Sequence, residues 1–260
     1  MTLLEGTVAL ISGVGPGVGR ATARAFAREG AAVALVARSS GFLDEVADEI
    51  TAAGGRALAL PTDITDESQC RAAVDRTVSD LGALDCLVNS AFRPGAQTTF
   101  LDADLSRWRK TFKVNVFGAL RLTRAAIPAL TQRDTGSIVF VGSMAMRRAR
   151  SADADYAASK AALYTAAQVL AKELGDRQIR VNTVVPGWID GPNVALYVDW
   201  QSSSRSVAPE EVRAEIESGI PLGRIPTPEE IAEAIVFFAS DLSRWVTGQG
   251  LDVNGGEYMH

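Results

Sequence analysis

One feature limits what this chain can fold into more than any other: short apolar runs alternate with helical stretches along its whole length. "TVALIS" (7–12), "AVALVA" (32–37), "RALALPTD" (56–63), "LDCLVNS" (84–90), "GSIVFVGS" (136–143), "IRVNTVVPG" (179–187) and "GLDVNGG" (250–256) read as strands. Between them, "VGRATARAFAREG" (18–30) has Ala21, Ala25 and Phe26 on one helical face and Gly30 as a stop. "FLDEVADEITAAGG" (42–55), "DESQCRAAVDRTVSDLG" (66–82) and "DADYAASKAALYTAAQVLAKELG" (153–175) are further helices. Residues 104–130 read as one or two long helices, with Pro128 perturbing the last turn. "TPEEIAEAIVFFAS" (227–240) opens with a capping pattern and a proline in its first turn. Strands without a polar face, each followed by a helix, predict right-handed βαβ units under helices on both sides. The expected fold is therefore α/β: a single Rossmann-like, doubly wound domain over 1–260 with a seven-stranded parallel sheet. A stretch at about 188–226 breaks the alternation and is expected to form a lid or substrate loop.

Composition removes several classes. With 47% hydrophobic residues in 260, the chain can bury a large core, and a net charge of −5 opposes a nucleic-acid surface. Its apolar runs are too short to span a membrane. Cys70 and Cys86 are the only cysteines and are not closely spaced, which points to a reducing, cytoplasmic setting without a disulfide framework or zinc site. His260, the last residue, is the only histidine, so mechanisms built on histidine or a histidine-held metal are not expected.

"SGVGPGVGR" (12–20) follows the first strand and opens the first helix. A strand, a glycine-rich turn and a helix N-terminus make a phosphate cradle, because free N–H groups and the helix dipole face the anion. Gly15 and Gly17 begin a G-x-G-x-x-G pattern, but position 20 is Arg; Gly13, Gly17 and Gly19 form G-x-x-x-G-x-G instead. Gly13, Gly15, Gly17, Val18 and Gly19 are the candidate cofactor contacts here. The second strand ends in Ala37, Arg38, Ser39 and Ser40. A carboxylate there would hold the ribose hydroxyl of NAD, whereas a cation and hydroxyls suit the 2′-phosphate of NADP, so NADP(H) is favoured over NAD(H) through Arg38 and Ser39.

In "YAASK", Tyr156 and Lys160 are four apart and share a helix face. A neighbouring ammonium stabilises phenolate, which suits a tyrosine for proton exchange with a substrate oxygen. Ser143 stands at the carboxyl end of a strand, where open α/β sheets bind ligands, and its hydroxyl can hold that oxygen.

The glycine pattern, the "VGS" serine thirteen residues before Tyr156, and the Tyr-x-x-x-Lys pair resemble the short-chain dehydrogenase/reductase family in order and spacing. "KVNVFG" with Asn115, "PTDIT" with Asp63, and "VVPGWI" with Pro186 and Gly187 extend the likeness from about residue 5 to 256. The resemblance implies an NADP(H)-dependent oxidoreductase interconverting a ketone and a secondary alcohol, assembled as a homotetramer or dimer. It implies Tyr156 as proton donor and acceptor, Lys160 as its pKa-lowering and ribose-binding partner, and Ser143 as the group orienting the oxygen. It further implies that Asn115 supports a water-mediated proton path, that Asp63 and Ile64 contact adenine, and that Asn89 and Ala91 border the cofactor. Two departures stand out. "NSAF" places Ser90 and Phe92 where the family often has Asn and Gly, and Gly191 stands where a threonine often binds the carboxamide. Backbone groups around Pro186, Gly187 and Ile189 would replace that threonine.

Phe92, Ser143, Met144, Trp188, Leu196 and Tyr197 are the expected substrate contacts, suited to a bulky or cyclic apolar ketone. Arg147, Arg148 and Arg150 read as a solvated loop, with an anionic substrate as the alternative reading. Other readings of the fold are a nucleotide-binding scaffold without catalysis and a halohydrin-type lyase. The Ser/Tyr/Lys set opposes the first; the glycine loop and Lys160 oppose the second.

Overall fold

The computed structural model describes residues 2–133 and 135–259; His260 lies outside them. The chain runs β1 (Val8–Ser12), α1 (Val18–Arg28), β2 (Ala32–Ala37), α2 (Ser40–Ala52), β3 (Arg56–Pro61), α3 (Glu67–Leu81), β4 (Cys86–Asn89), α4 (Leu105–Phe112) and α5 (Ala119–Leu130). It continues with β5 (Gly136–Val141), α6 (Ala154–Glu173), β6 (Ile179–Pro186), α7 (Pro192–Arg205), α8 (Pro209–Ser218), α9 (Pro228–Ala239) and β7 (Gly250–Val253). One parallel sheet has the order β3-β2-β1-β4-β5-β6-β7.

Side chains alternate across a strand, so each apolar run feeds both faces. In β1, Ala9 and Ile11 join Phe26 of α1 and Ile235 of α9 in one core, while Leu10 joins Val74 of α3, Leu122 of α5 and Leu163 of α6 in the other. Both cores are dry: Leu10, Ile11, Phe26 and Leu122 are fully buried. From β1 the sheet grows towards β3 on one side and from β4 towards β7 on the other. That reversal opens a crevice above the carboxyl ends of β1 and β4, the usual ligand position in such sheets.

The 104–130 stretch departs from a plain helix. Between α4 and α5, Lys113–Gly118 is a π-helical turn, a feature found often at functional sites. Pro128 is accommodated inside α5, which ends two residues later at Leu130. The stretch after β6 folds into α7 and α8 around a separate cluster of Val194, Val198, Val212, Ile220 and Ile225. Asp190 anchors it through a two-pronged ion pair to Arg213, at 3.1 and 2.8 Å. The capping pattern before α9 is realised as a reciprocal box between Thr227 and Glu230. Among the described residues no helix is long and apolar enough to cross a membrane.

Candidate active site

At the end of β1 the backbone turns at Gly13, with φ +81°, and its N–H donates to the Val36 carbonyl of β2 at 2.8 Å. A Cβ on Gly13 would lie 2.6 Å from the Ser90 carbonyl carbon and collide with the Ala91 backbone; one on Gly19 would enter the Gly13 carbonyl. These two glycines let backbone meet backbone. Gly15 and Gly17 differ, because no atom lies within 4 Å of a Cβ built on either. The N-terminus of α1 has no side-chain cap, and the Arg20 N–H turns back to the Gly15 carbonyl at 3.3 Å. At the foot of the crevice, Asn89 donates to Thr123 at 3.0 Å, while its Oδ1 is buried without a partner among the described residues. An open cradle, an uncapped helix end and an unsatisfied acceptor fit a dinucleotide.

Arg38 lies just past β2, exposed, with no hydrogen-bond or ion-pair partner among the described residues. Ser39 precedes α2, and its hydroxyl makes no capping bond. Asp63 accepts the Thr65 N–H at 2.8 Å and so shapes its own turn, while Ile64 is 6% exposed and belongs to the core beside α5. Any contact of Ile64 with a cofactor therefore falls to its backbone.

Ser143, Tyr156 and Lys160 come together above the end of β5. Lys160 is 3% exposed and donates to the Val141 carbonyl at 2.7 Å. Its Nζ stands 5.7 Å from the Tyr156 ring centre and 6.0 Å from that of Phe92. The Phe92 ring meets Tyr156 edge-on at 6.4 Å, so the departure at "NSAF" builds a wall against the tyrosine. Burial pushes the Tyr156 phenol up to about 12, opposed by the Ser143 hydroxyl and reinforced by the Asp153 carboxylate. Burial brings the Lys160 ammonium down to about 8. Desolvation is the first cause of both shifts, and Ser143 is the neighbour that lowers the phenol.

Asn115 sits on the π turn, fully buried. Its Oδ1 accepts the Arg93 N–H at 2.6 Å, and its Nδ2 donates to the Arg93 carbonyl at 3.1 Å and to Ser159 at 2.9 Å. Ser159 donates in turn to the Tyr156 carbonyl at 2.7 Å. Both amide hydrogens are thus occupied in bracing the 93–96 loop against α6.

A family model described as Enoyl-(Acyl carrier protein) reductase matches residues 13–257. The 3-oxoacyl-(acyl-carrier-protein) reductase of Thermotoga maritima is 36% identical over 255 residues, covering 97% of this chain and 98% of its own. A short-chain type dehydrogenase/reductase from Mycobacterium marinum superposes with a TM-score of 0.88 at 33% identity, covering 99% of this chain and 97% of its own. This chain belongs to the short-chain dehydrogenase/reductase family. A 7α-hydroxysteroid dehydrogenase, solved with NADH and 7-oxo glycochenodeoxycholic acid, superposes with a TM-score of 0.85 at 33% identity, over 97% of this chain and 94% of that one. The chain is an oxidoreductase of this family, acting between CH–OH and C=O with a nicotinamide cofactor.

In the segment after β6 of this dehydrogenase/reductase, Trp188 packs on Tyr197 at 4.9 Å, and Tyr197 on Trp200 at 6.1 Å. Leu196 is 67% exposed on α7. Met144 is 4% exposed and takes a hydrogen bond from Asn254 Nδ2 at 3.8 Å, so it supports the C-terminal segment more than it offers open surface. Pro186 closes β6, and the Gly187 N–H donates to Val253 at 3.3 Å. Ile189 packs on the main core, and Gly191 is the N-cap of α7.

Sequence reasoning missed Asp155, which is 2% exposed. It accepts from Thr111 at 2.8 Å and from the Ala96 N–H at 3.2 Å, tying α4 and the 93–96 loop to the residue beside Tyr156. An acid among small residues in "DADYAAS" was the available signal. Asp153 lies one turn before Tyr156. Burial, followed by the Asp155 charge, raises its carboxyl to about 6, and Arg150 pulls it back. The three loop arginines are not simply solvated: Arg147 pairs with Asp252, and Arg148 and Arg150 both pair with Glu257.

Proposed function

We propose that this short-chain dehydrogenase/reductase is an NADP(H)-dependent carbonyl reductase and alcohol dehydrogenase for bulky or cyclic apolar substrates. The observation that carries the reading is the gathering of Ser143, Tyr156 and Lys160 in one pocket walled by Phe92. Gly13, Gly15, Gly17, Val18 and Gly19 would hold the diphosphate, Asp63 and Ile64 the adenine, and Asn89, Ala91, Lys160, Pro186, Gly187 and Ile189 the nicotinamide half. A bound nicotinamide supplies or accepts the hydride.

In reduction, Ser143 donates a hydrogen bond to the substrate oxygen, and Tyr156 delivers a proton as that oxygen becomes an alcohol. A phenol held near 12 is fully protonated at neutral pH and serves directly as the acid. Oxidation needs the phenolate and rises with pH. Asn115 and Asp155 hold α6 and the 93–96 loop in register. The lid of residues 188–226 covers the pocket, with Trp188, Leu196 and Tyr197 on the substrate side. The 7-oxo steroid seen in the related dehydrogenase supports a cyclic substrate.

The NADP(H) preference rests on the uncommitted Arg38 and Ser39 beside the glycine loop; the relative solved with NADH shows that this must be tested on the chain itself. The test is cofactor oxidation with NADPH and NADH against a ketone panel, in the wild type and in Arg38→Asp. We expect NADPH to be preferred and the substitution to shift the kcat/KM ratio towards NADH by at least tenfold. An unchanged ratio discards Arg38 as the 2′-phosphate contact.

The Asp153 charge disfavours phenolate at Tyr156. Removing it lowers the phenol's pKa, so Asp153→Asn should move the rising limb of the alcohol-oxidation pH profile to lower pH. A limb that stays put or moves up contradicts this assignment.

We read the chain as one domain working in the cytoplasm as a homotetramer. Apolar groups exposed near α4 and α5 (Phe100, Leu101, Leu105 and Phe117) and near edge strand β7 (Leu242, Trp245 and Leu251) support subunit contacts at two separate faces.

A further inference from the structure

We propose that Arg148 and Arg150 form an anion subsite at the mouth of the catalytic pocket. It selects ketones and alcohols that carry a carboxylate at the end remote from the reacting carbon. The inference rests on the reductase reading above and deepens it by naming the substrate class.

The two arginines lie on the loop joining Ser143 to Tyr156. Arg148 Nη1 and Arg150 Nη2 each donate to the same atom, Glu257 Oε1, at 2.9 Å. Two guanidiniums from one loop therefore converge on one point. The layering is asymmetric. The Glu257 side chain is 6% exposed, whereas those of Arg148 and Arg150 are 49% and 36% exposed. The carboxylate sits inside and the cations face out. Among the described residues Glu257 Oε2 is buried without a hydrogen-bond partner, close to Gly187, so this carboxylate holds the arginine pair in place and offers little to solvent.

A guanidinium carries five N–H donors, and a carboxylate oxygen occupies one on each arginine here. Donors remain on both, already oriented, which is the condition for strong recognition of a second carboxylate. Arg147 differs: its guanidinium is committed to Asp252 at 2.9 Å, to the Gly250 carbonyl at 3.3 Å and to the Tyr164 ring at 5.5 Å.

The position of Arg150 links the pair to the pocket. Its guanidinium lies 4.4 Å from the Trp188 ring centre, and Trp188 packs on Tyr197. Its charge also reaches Asp153, one turn before Tyr156. A substrate whose apolar ring lies along Trp188, with its carbonyl at Tyr156 and Ser143, extends its far end towards the exposed guanidiniums. Among the described residues, Asp153 and Glu257 are the acids shown to interact with this pair. Both arginine side chains stay partly exposed beside the buried Glu257 carboxylate, which is where an incoming anion would meet them.

The experiment compares 4-oxocyclohexanecarboxylate with its uncharged carboxamide, using cofactor-loaded wild type, Arg148→Met/Arg150→Met and Arg148→Lys/Arg150→Lys. We expect the wild type to favour the carboxylate in kcat/KM by about ten- to a hundredfold, carried by KM, as loss of charged hydrogen bonds implies. The ratio should fall to near one in the methionine variant and be partly kept in the lysine variant. Glu257→Gln should widen it. A wild type that turns over ketones but treats both probes alike overturns the subsite and leaves the reductase reading intact. So does a methionine variant whose KM rises equally for both probes, since the arginines would then only support the loop. If no ketone is turned over, the reductase reading fails. Calorimetric binding of the carboxylate probe then decides the subsite: binding lost in the methionine variant supports it, and binding unchanged in that variant overturns it.

Discussion

Replacing Tyr156 by Phe should lower kcat for ketone reduction by about a hundred- to ten-thousandfold, the range for loss of a positioned general acid. The substitution removes one oxygen and little else. The ring keeps its edge contact with Phe92 at 6.4 Å and its place 5.7 Å from the Lys160 ammonium, so packing and the Lys160 bond to Val141 should persist. KM and nicotinamide affinity should change only a few-fold, and thermal stability should stay close to that of the wild type. The removed hydroxyl is desolvated, which makes its loss chemical more than structural. Equal turnover in the two proteins would discard the assigned proton donor. A matching collapse of stability would mean that the loss had been misattributed.

The second large effect concerns the glycine loop. Gly13→Ala and Gly19→Ala should each cost about 3–5 kcal/mol, combining strain or overpacking that backbone cannot relieve. At Gly13 the added methyl faces the Ser90–Ala91 backbone at φ +81°; at Gly19 it meets the Gly13 carbonyl. For a chain of this size such a cost lowers Tm by about 10 °C, measured at fixed protein concentration because assembly shifts it. Gly17→Ala serves as the contrast. A Cβ there has nothing within 4 Å, so stability without cofactor should be unchanged while nicotinamide affinity drops by about tenfold or more. Loss of stability in Gly17→Ala, or none in Gly13→Ala, would reverse the roles given to these glycines.

Much of this was legible in the sequence because the signals are local. The strands announced themselves as apolar runs, and β2 falls at 32–37 in the fold as in the reading. Tyr156 and Lys160 share a face by helical period alone. The π turn at Lys113–Gly118 was not legible, since its residues fit an α-helix equally well; in the fold Asn115 on that turn bonds Arg93 and Ser159. Met144 illustrates another limit. An apolar residue next to Ser143 reads as pocket lining, but its contact with Asn254 comes from 110 residues away.

By itself the sequence determined the α/β architecture, the glycine cradle and the Ser143, Tyr156 and Lys160 constellation, because period, turn chemistry and helix spacing act over a few residues. Tertiary structure alone decided the environment of those groups. Burial raises the Tyr156 phenol; Phe92 becomes a wall; and Arg148 and Arg150 meet Glu257 across more than 100 residues of chain. Desolvation and ion pairing depend on which distant segments exclude water from a site, and no local pattern carries that information.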